Sequence, residues 1–343
     1  MTQLNKKQIY NKTFSTFYNS DYISILSGKY GNDFVQYREQ FERSTQGDYV
    51  CDRPLYVLLG VNANCNLRCK MCPISSESKS KKEYLSLELI EKIADEVRKY
   101  EIPSVMIGAD AECLLHPDIK TILKSLSHKN TGIIDFILIS NGTLLTDSLA
   151  QYLIEIGLDR LTISLDAATP ETYRMIRGAN LNHVEENIDN FLRIRKKTGK
   201  SYPILRVSFV KQKDNFHEAE MFFNKWSNRA DIIEIDNYVI YDPPVSDYGH
   251  FNHIKPFQCI QPFQKINIDY NGNMYPCAHR FNRTPELYEK LLLGNIKNCT
   301  IMDAWYGDKM IALRESLKNG ENYPICQFCK AYLENPDCDF TSR

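Results

Sequence analysis

Long apolar runs are missing from this sequence: no stretch approaches the ~18 residues that a membrane-spanning helix requires. An excess of charge is missing too. Lys and Arg number 42 against 43 Asp and Glu, giving a net charge of −1. That balance argues against a polyanionic partner such as nucleic acid. The opening residues, MTQLNKKQIYNKTF, lack the apolar core of a secretory signal. The expectation is therefore a cytoplasmic protein with no membrane partner. In that reducing compartment its eleven cysteines are read as ligands or catalysts rather than disulfides. What is present is ordinary globular material, 43% hydrophobic and 25% charged over 343 residues, enough for two domains at ~150 residues each.

Organisation follows from periodicity. Residues 1–53, rich in Tyr, Phe and Asn, are read as an N-terminal extension with a helix at DFVQYREQFERS. Residues 54–240 alternate strand with helix. The strands are LYVLLGV, SVMIG, DFILIS, RLTISLD, LRVSFV and DIIEID. Between them, Leu89, Ile90, Ile93, Ala94 and Val97 repeat at helical spacing, and Thr169 with Pro170 marks a helix start reaching to Arg195. Six such repeats predict a parallel sheet with right-handed crossovers. In three strands the apolar residues alternate with polar ones: Leu161, Ile163 and Leu165 with Thr162 and Ser164; Leu205, Val207 and Phe209 with Arg206 and Ser208; Ile233 and Ile235 with Glu234 and Asp236. A doubly wound sheet would be apolar on both faces. One polar face instead predicts a partial (β/α)6 TIM-like barrel with a wet lumen. Residues 241–258 read as a linker, and 259–343 as a small cysteine-held α+β domain with a hairpin at Asn271-Gly272 and a helix over Asp303 to Leu317.

The cysteines carry the chemistry. Cys65, Cys69 and Cys72 fall within eight positions directly after the first strand of the repeat, at the mouth where barrels place their sites. A closed zinc site or a four-iron cluster takes four protein ligands. Three thiolates leave one iron free for a small chelating ligand, so the site reads as catalytic. Cys259, Cys277, Cys326 and Cys329 form a second set with complete ligation for one more cluster. A structural zinc ribbon is the rival reading of this second set.

The Cys65-x3-Cys69-x2-Cys72 spacing resembles the signature of the radical S-adenosylmethionine (radical SAM) enzymes, and the second set resembles their SPASM/twitch extension. The resemblance implies a 4Fe-4S cluster on Cys65, Cys69 and Cys72 whose open iron is chelated by S-adenosylmethionine. It further implies one auxiliary 4Fe-4S cluster, and reductive cleavage to a 5′-deoxyadenosyl radical that abstracts a substrate hydrogen. ECLLHP, from Glu112, resembles the segment in which a Glu receives the cosubstrate's amino group, although Asp110 and Ala111 stand where glycines are usual and Cys113 replaces a proline. SNG, with Asn141, and SLDAATPETYRMIRG, with Ser164 and Arg177, resemble further cosubstrate-contacting segments, and Arg206 joins them as a candidate contact. An Arg suits a carboxylate because its planar fork donates two hydrogen bonds.

The expected reaction is oxidation of a small sugar- or aminocyclitol-like molecule, with the auxiliary cluster as electron acceptor and a flavodoxin- or ferredoxin-type reductant. The alternatives are an epimerase using Cys113 or Cys338 as hydrogen donor, a maturase of ribosomal peptides, or a non-catalytic zinc protein.

Overall fold

The computed structural model describes residues 14–75, 83–108, 110–237, 252–253, 259–278, 289–321, 323–324, 326 and 333–334. The six expected strands form in order: β2 (Tyr56–Leu59), β3 (Ser104–Ile107), β4 (Asp135–Ser140), β5 (Arg160–Ser164), β6 (Ile204–Lys211) and β7 (Ile232–Asn237), following an additional strand β1 (Phe14–Tyr18). All six pair in parallel with their sequence neighbours. Helices α1 (Tyr22–Tyr30) and α2 (Asn32–Ser44) precede β2. The connecting helices are α3 (Leu87–Lys99), α4 (Ile119–Ser125), α5 (His128–Thr131), α6 (Asp147–Glu155), α7 (Pro170–Arg177), α8 (Leu181–Lys197) and α9 (Ala219–Trp226). Val57, Ile107, Leu138, Ile163, Val207 and Ile233 turn outward into one apolar core with these helices. The sheet does not close, so the barrel is partial.

The reading of one helix from Thr169 to Arg195 is corrected. Gly178 adopts the left-handed conformation at φ 71° and ends α7, and Asn180 then caps α8 through its side chain. The helix expected over Asp303 to Leu317 likewise divides at Gly307 into α11 (Ile301–Tyr306) and α12 (Asp308–Lys318), after α10 (Gln261–Gln264).

Both ends of the chain join the same sheet. β1 runs antiparallel along β7. β9 (Lys265–Ile268) pairs in parallel with the free edge of β2 and continues through β10 (Asn273–Tyr275) to β11 (Gly294–Asn295), giving a ten-stranded order. Two short strands, β8 (Asn252–His253) and β12 (Leu333–Glu334), pair separately. The β9–β10 hairpin is wider than the two-residue turn Asn271-Gly272 suggests. Gly272 has φ 82° while Asn271 is not left-handed, and Asp269 N donates to Asn273 O at 3.0 Å. A three-residue loop with glycine in the left-handed position satisfies the same sequence.

Helices α1 and α2 seal the lower mouth, where the parallel strands begin. Leu26, Phe34 and Tyr37 pack on Leu55, Ile204 and Ile232. Lys29 Nζ donates to Asp159 Oδ1 at 2.6 Å, and Tyr37 Oη to Asp135 Oδ2 at 3.1 Å. Asp135 also accepts from Arg160 Nε at 2.7 Å and pairs with its Nη2. Among the described residues no helix is long and apolar enough to cross a membrane.

Candidate iron–sulfur and cosubstrate site

The loop after β2 carries Cys65, Cys69 and Cys72 to the upper mouth. Its backbone winds around itself, with Cys72 N donating to Cys69 O at 3.0 Å and Ser75 N to Cys72 O at 3.0 Å. Lys70 N donates to Ile176 O at 2.8 Å, which straps the loop to the end of α7. Cys69 is buried, while Cys65 and Cys72 are half-buried. Leu67 N points at Cys65 Sγ at 3.4 Å and Arg177 Nη1 at Cys69 Sγ at 3.8 Å. Burial pushes the Cys69 thiol up to about 11, and the Arg177 charge opposes that shift. Donors aimed at sulfur and a cation beside a buried thiol fit a thiolate-bound cluster, whose negative charge they offset. The nine described cysteines carry no disulfide.

Glu112 lies 2% exposed below this loop. Its Oε1 accepts from Ser140 Oγ at 2.8 Å and Leu114 N at 3.2 Å, and its Oε2 accepts from Asn141 N at 2.7 Å. Burial raises the carboxyl above its usual range, against the pull of these hydrogen bonds. Asn62 Nδ2 holds the Glu112 carbonyl at 2.9 Å. Asn141 links to the cysteine loop through Asn66 Oδ1 at 2.9 Å, and Asn66 returns a bond to Thr143 Oγ1 at 2.8 Å. Gly60 admits the neighbouring carboxylate, since a Cβ there would stand 1.8 Å from Asp110 Oδ2.

Arg177 is placed differently from a free carboxylate clamp. Its Nη2 pairs with Asp166, its Nη1 faces Cys69, and its buried Nε has no hydrogen-bond partner among the described residues. Asp166 is itself fixed: it sits at φ 61°, accepts from Val210 N at 2.8 Å and takes Asn215 Nδ2 on its carbonyl at 2.8 Å. Arg206 gives Nη1 to both Glu234 oxygens at 2.9 and 3.0 Å. Ser164 ends β5, half-buried, opposite Ser208. Cys113 is buried in the main apolar core, its Sγ donating to Ile139 O at 3.2 Å, and burial pushes its thiol well up.

Cys259, Cys277 and Cys326 come together in one apolar cluster with Phe263, Tyr275, Leu313 and Leu317. Cys329 and Cys338 lie outside the described residues. Sequence reasoning missed Asn62, Asn66 and Asp166. The only local signal for Asp166 was its type, since Asp is among the few side chains that accept a left-handed backbone.

Comparisons with known proteins agree with this geometry. Residues 61–207 match the model of the radical SAM superfamily, and residues 259–330 match SPASM, an iron–sulfur cluster-binding domain. The tungsten-containing aldehyde ferredoxin oxidoreductase cofactor-modifying protein of Pyrococcus furiosus is 25% identical over 325 residues, 83% of this chain and 89% of that protein. Among solved structures, BtrN in complex with AdoMet and 2-DOIA aligns at TM-score 0.53 and 18% identity over 84% of this chain and 95% of that one. Streptococcus suis SuiB bound to S-adenosylmethionine aligns at TM-score 0.58 and 14% identity over 90% of this chain and 83% of that one. At these identities the two structures speak for the fold.

Proposed function

This chain belongs to the radical SAM superfamily and carries a C-terminal SPASM iron–sulfur domain, and from that premise we propose that it oxidises a small sugar- or aminocyclitol-like ring. Bound at Cys65, Cys69 and Cys72, a 4Fe-4S cluster with S-adenosylmethionine supplies a hydrogen-abstracting radical, and a single auxiliary cluster at Cys259, Cys277, Cys326 and Cys329 supplies an electron acceptor. Glu112 receives the cosubstrate's amino group on Oε2, which among the described residues accepts one hydrogen bond, from Asn141 N. Asn141 and Ser164 border the same mouth.

One observation carries the substrate reading: the lumen wall of β5 to β7. Ser164, Ser208, Arg206, Glu234 and Asp236 occupy the alternate positions of these strands, and α1 and α2 close the space below them. Two buried atoms of this wall, Arg206 Nε and Asp236 Oδ1, have no hydrogen-bond partner among the described residues. A donor and an acceptor left unmatched cost free energy that a ligand carrying hydroxyls or an amine recovers. Burial, and then repulsion from Glu234, raises the Asp236 carboxyl well above its usual range. The Asp236 carboxyl, with an oxygen unmatched among the described residues, is placed to exchange a hydrogen bond with a ligand hydroxyl. Such an oxidation would balance with the carbon's hydrogen atom passing to the deoxyadenosyl radical, the hydroxyl proton to the Glu234–Asp236 pair, and one electron to the auxiliary cluster that Cys259, Cys277, Cys326 and Cys329 would hold.

The BtrN complex with AdoMet and 2-DOIA, a neighbour in fold, supports the small-molecule reading. A SuiB structure holds the precursor peptide SuiA and favours the peptide reading. In this chain, however, residues 14–44 form a strand and two helices used to seal the barrel. The reading expects a cytoplasmic enzyme fed by a flavodoxin- or ferredoxin-type reductant. Its test is anaerobic turnover of an aminocyclitol panel with dithionite and S-adenosylmethionine in deuterated water. The expected product is two hydrogens lighter than its substrate and carries no solvent deuterium on carbon. A product of unchanged formula with one solvent deuteron would instead establish an epimerase.

A further inference from the structure

An exposed apolar face lies beside the cysteine loop. Six large hydrophobic side chains are exposed among the described residues, and three of them, Met175, Phe216 and Met221, belong to α7 and to the stretch from the turn Phe216–Glu218 into α9. A single exposed apolar residue needs no explanation, whereas a group of them marks a contact surface. We propose that this face docks an acidic one-electron carrier protein of the flavodoxin type, which feeds the cluster. The inference rests on the proposed cluster at Cys65, Cys69 and Cys72, and adds the surface that its reductant uses.

Hydrogen bonds bring the three side chains to one place. Glu218 accepts from Thr169 Oγ1 at 2.6 Å and Thr172 Oγ1 at 2.5 Å, which joins the start of α9 to the start of α7. At the other end of α7, Lys70 N donates to Ile176 O at 2.8 Å, and Lys70 Nζ pairs with Asp214. Met175 stands one turn beyond Thr172 on the same side of α7, and so lies between these two ties. Phe216 falls between Asp214 and Glu218 in the chain, and Met221 follows Glu218 by one turn of α9. All three remain largely open, Met175 at 52%, Phe216 at 42% and Met221 at 53%.

Position and charge name the occupant. Cys69 is buried, so an electron from outside must enter through the loop that carries it. Lys70 follows Cys69 directly and is exposed, and a carrier seated here leaves the barrel mouth free for cosubstrate and substrate. Lys70, Arg174 and Lys213 are exposed on the side of the face nearest the loop, with Asp214 sharing the charge of Lys70. Glu171 and Glu220 stand at the far edge, at the starts of α7 and α9. A flavodoxin presents the apolar edge of its flavin within a ring of carboxylates, which complements an apolar centre with a basic rim. The transfer is of one electron: the reduced flavin loses it and the cluster gains it.

The test uses the reconstituted holoenzyme and a bacterial flavodoxin, oxidised for calorimetry and reduced for turnover. Cleavage of S-adenosylmethionine by wild type with dithionite checks the cluster premise separately. Met175→Glu combined with Phe216→Glu should weaken flavodoxin binding by about tenfold and slow flavodoxin-driven formation of 5′-deoxyadenosine by about the same factor. Iron content and dithionite-driven formation should not change, because a small reductant needs no docking face. Met221→Glu alone gives a milder form of the same effect. Arg174→Glu combined with Lys213→Glu should weaken binding at low salt and flatten its salt dependence. Ile311→Glu, at an exposed apolar residue of α12, should change nothing. Unaltered flavodoxin binding in the Met175 and Phe216 variant, an equal loss in Ile311→Glu, or a wild type that cleaves with dithionite yet binds no flavodoxin would overturn the proposal. So would a wild-type dimer that the same variant separates, since the face would then belong to a second copy of the chain.

Discussion

The two mouths of the barrel each hold a buried Arg–Asp pair, and they are built to opposite ends. Below, Arg160 gives Nε and Nη2 to the two oxygens of Asp135, and Tyr37 supplies a further donor. Above, Arg177 gives Asp166 a single nitrogen, turns a second to a cysteine and leaves a third without a partner among the described residues. The lower mouth also receives two helices and their aromatic side chains, while the upper one is ringed by loops carrying thiols, Glu112 and amide groups. A saturated network seals, and an incomplete one waits for something to finish it.

This contrast is sharpest in what each pair does when broken. Arg160→Met leaves Asp135 buried without its cation and should cost about 3–5 kcal/mol of stability, read by denaturant unfolding, with S-adenosylmethionine affinity intact in the protein that remains folded. A smaller effect on the same mouth is set by pH. Burial raises Asp159 from 3.8 to about 6, although Lys29 and the Phe136 amide pull it down. The folded state therefore holds this proton more tightly than the unfolded chain does. Its contribution is complete below about pH 4 and is lost as pH rises towards about 6, amounting to at most about 3 kcal/mol. Asp159→Asn should flatten that window.

At the upper mouth, Glu112→Gln turns an NH2 group towards a donor that the carboxylate now satisfies, and should cost about 1–3 kcal/mol of stability and weaken S-adenosylmethionine binding by about 1.5–3 kcal/mol, measured by unfolding and by calorimetry. Equal affinity in variant and wild type would detach Glu112 from the cosubstrate. The smallest effect is expected at Cys113→Ser, because the thiol serves the core and the Ile139 carbonyl. Turnover should remain within twofold of wild type, and its loss would bring the epimerase reading forward.

The difference between the mouths also explains what the sequence could disclose. The polar face of RLTISLD and LRVSFV predicted a wet lumen, because alternation is a local property and the strands kept it. The cysteine spacing put three thiols on one loop after β2 for the same reason, and the structure keeps them there. The Arg160–Asp135 pair was illegible: it depends on β4 and β5 lying in register, with Ile137 opposite Arg160. The approach of Arg177 to Cys69 joins residues 108 positions apart. The break at Gly178 was missed because Arg174 and Ile176 keep the helical pattern up to it. The pairing of β9 with β2, which joins the hairpin between Cys259 and Cys277 to the barrel's own sheet, has no local signature either.

The central claim is that the upper mouth holds a cluster on Cys65, Cys69 and Cys72, separate from the one on the second cysteine set. It is tested most directly by replacing those three residues together with alanine and measuring iron and 5′-deoxyadenosine after anaerobic reconstitution. The account predicts that wild type binds about eight irons as two four-iron clusters, that the variant keeps about half, and that no 5′-deoxyadenosine forms. Undiminished iron in the triple variant, or continued cleavage of S-adenosylmethionine, would contradict it.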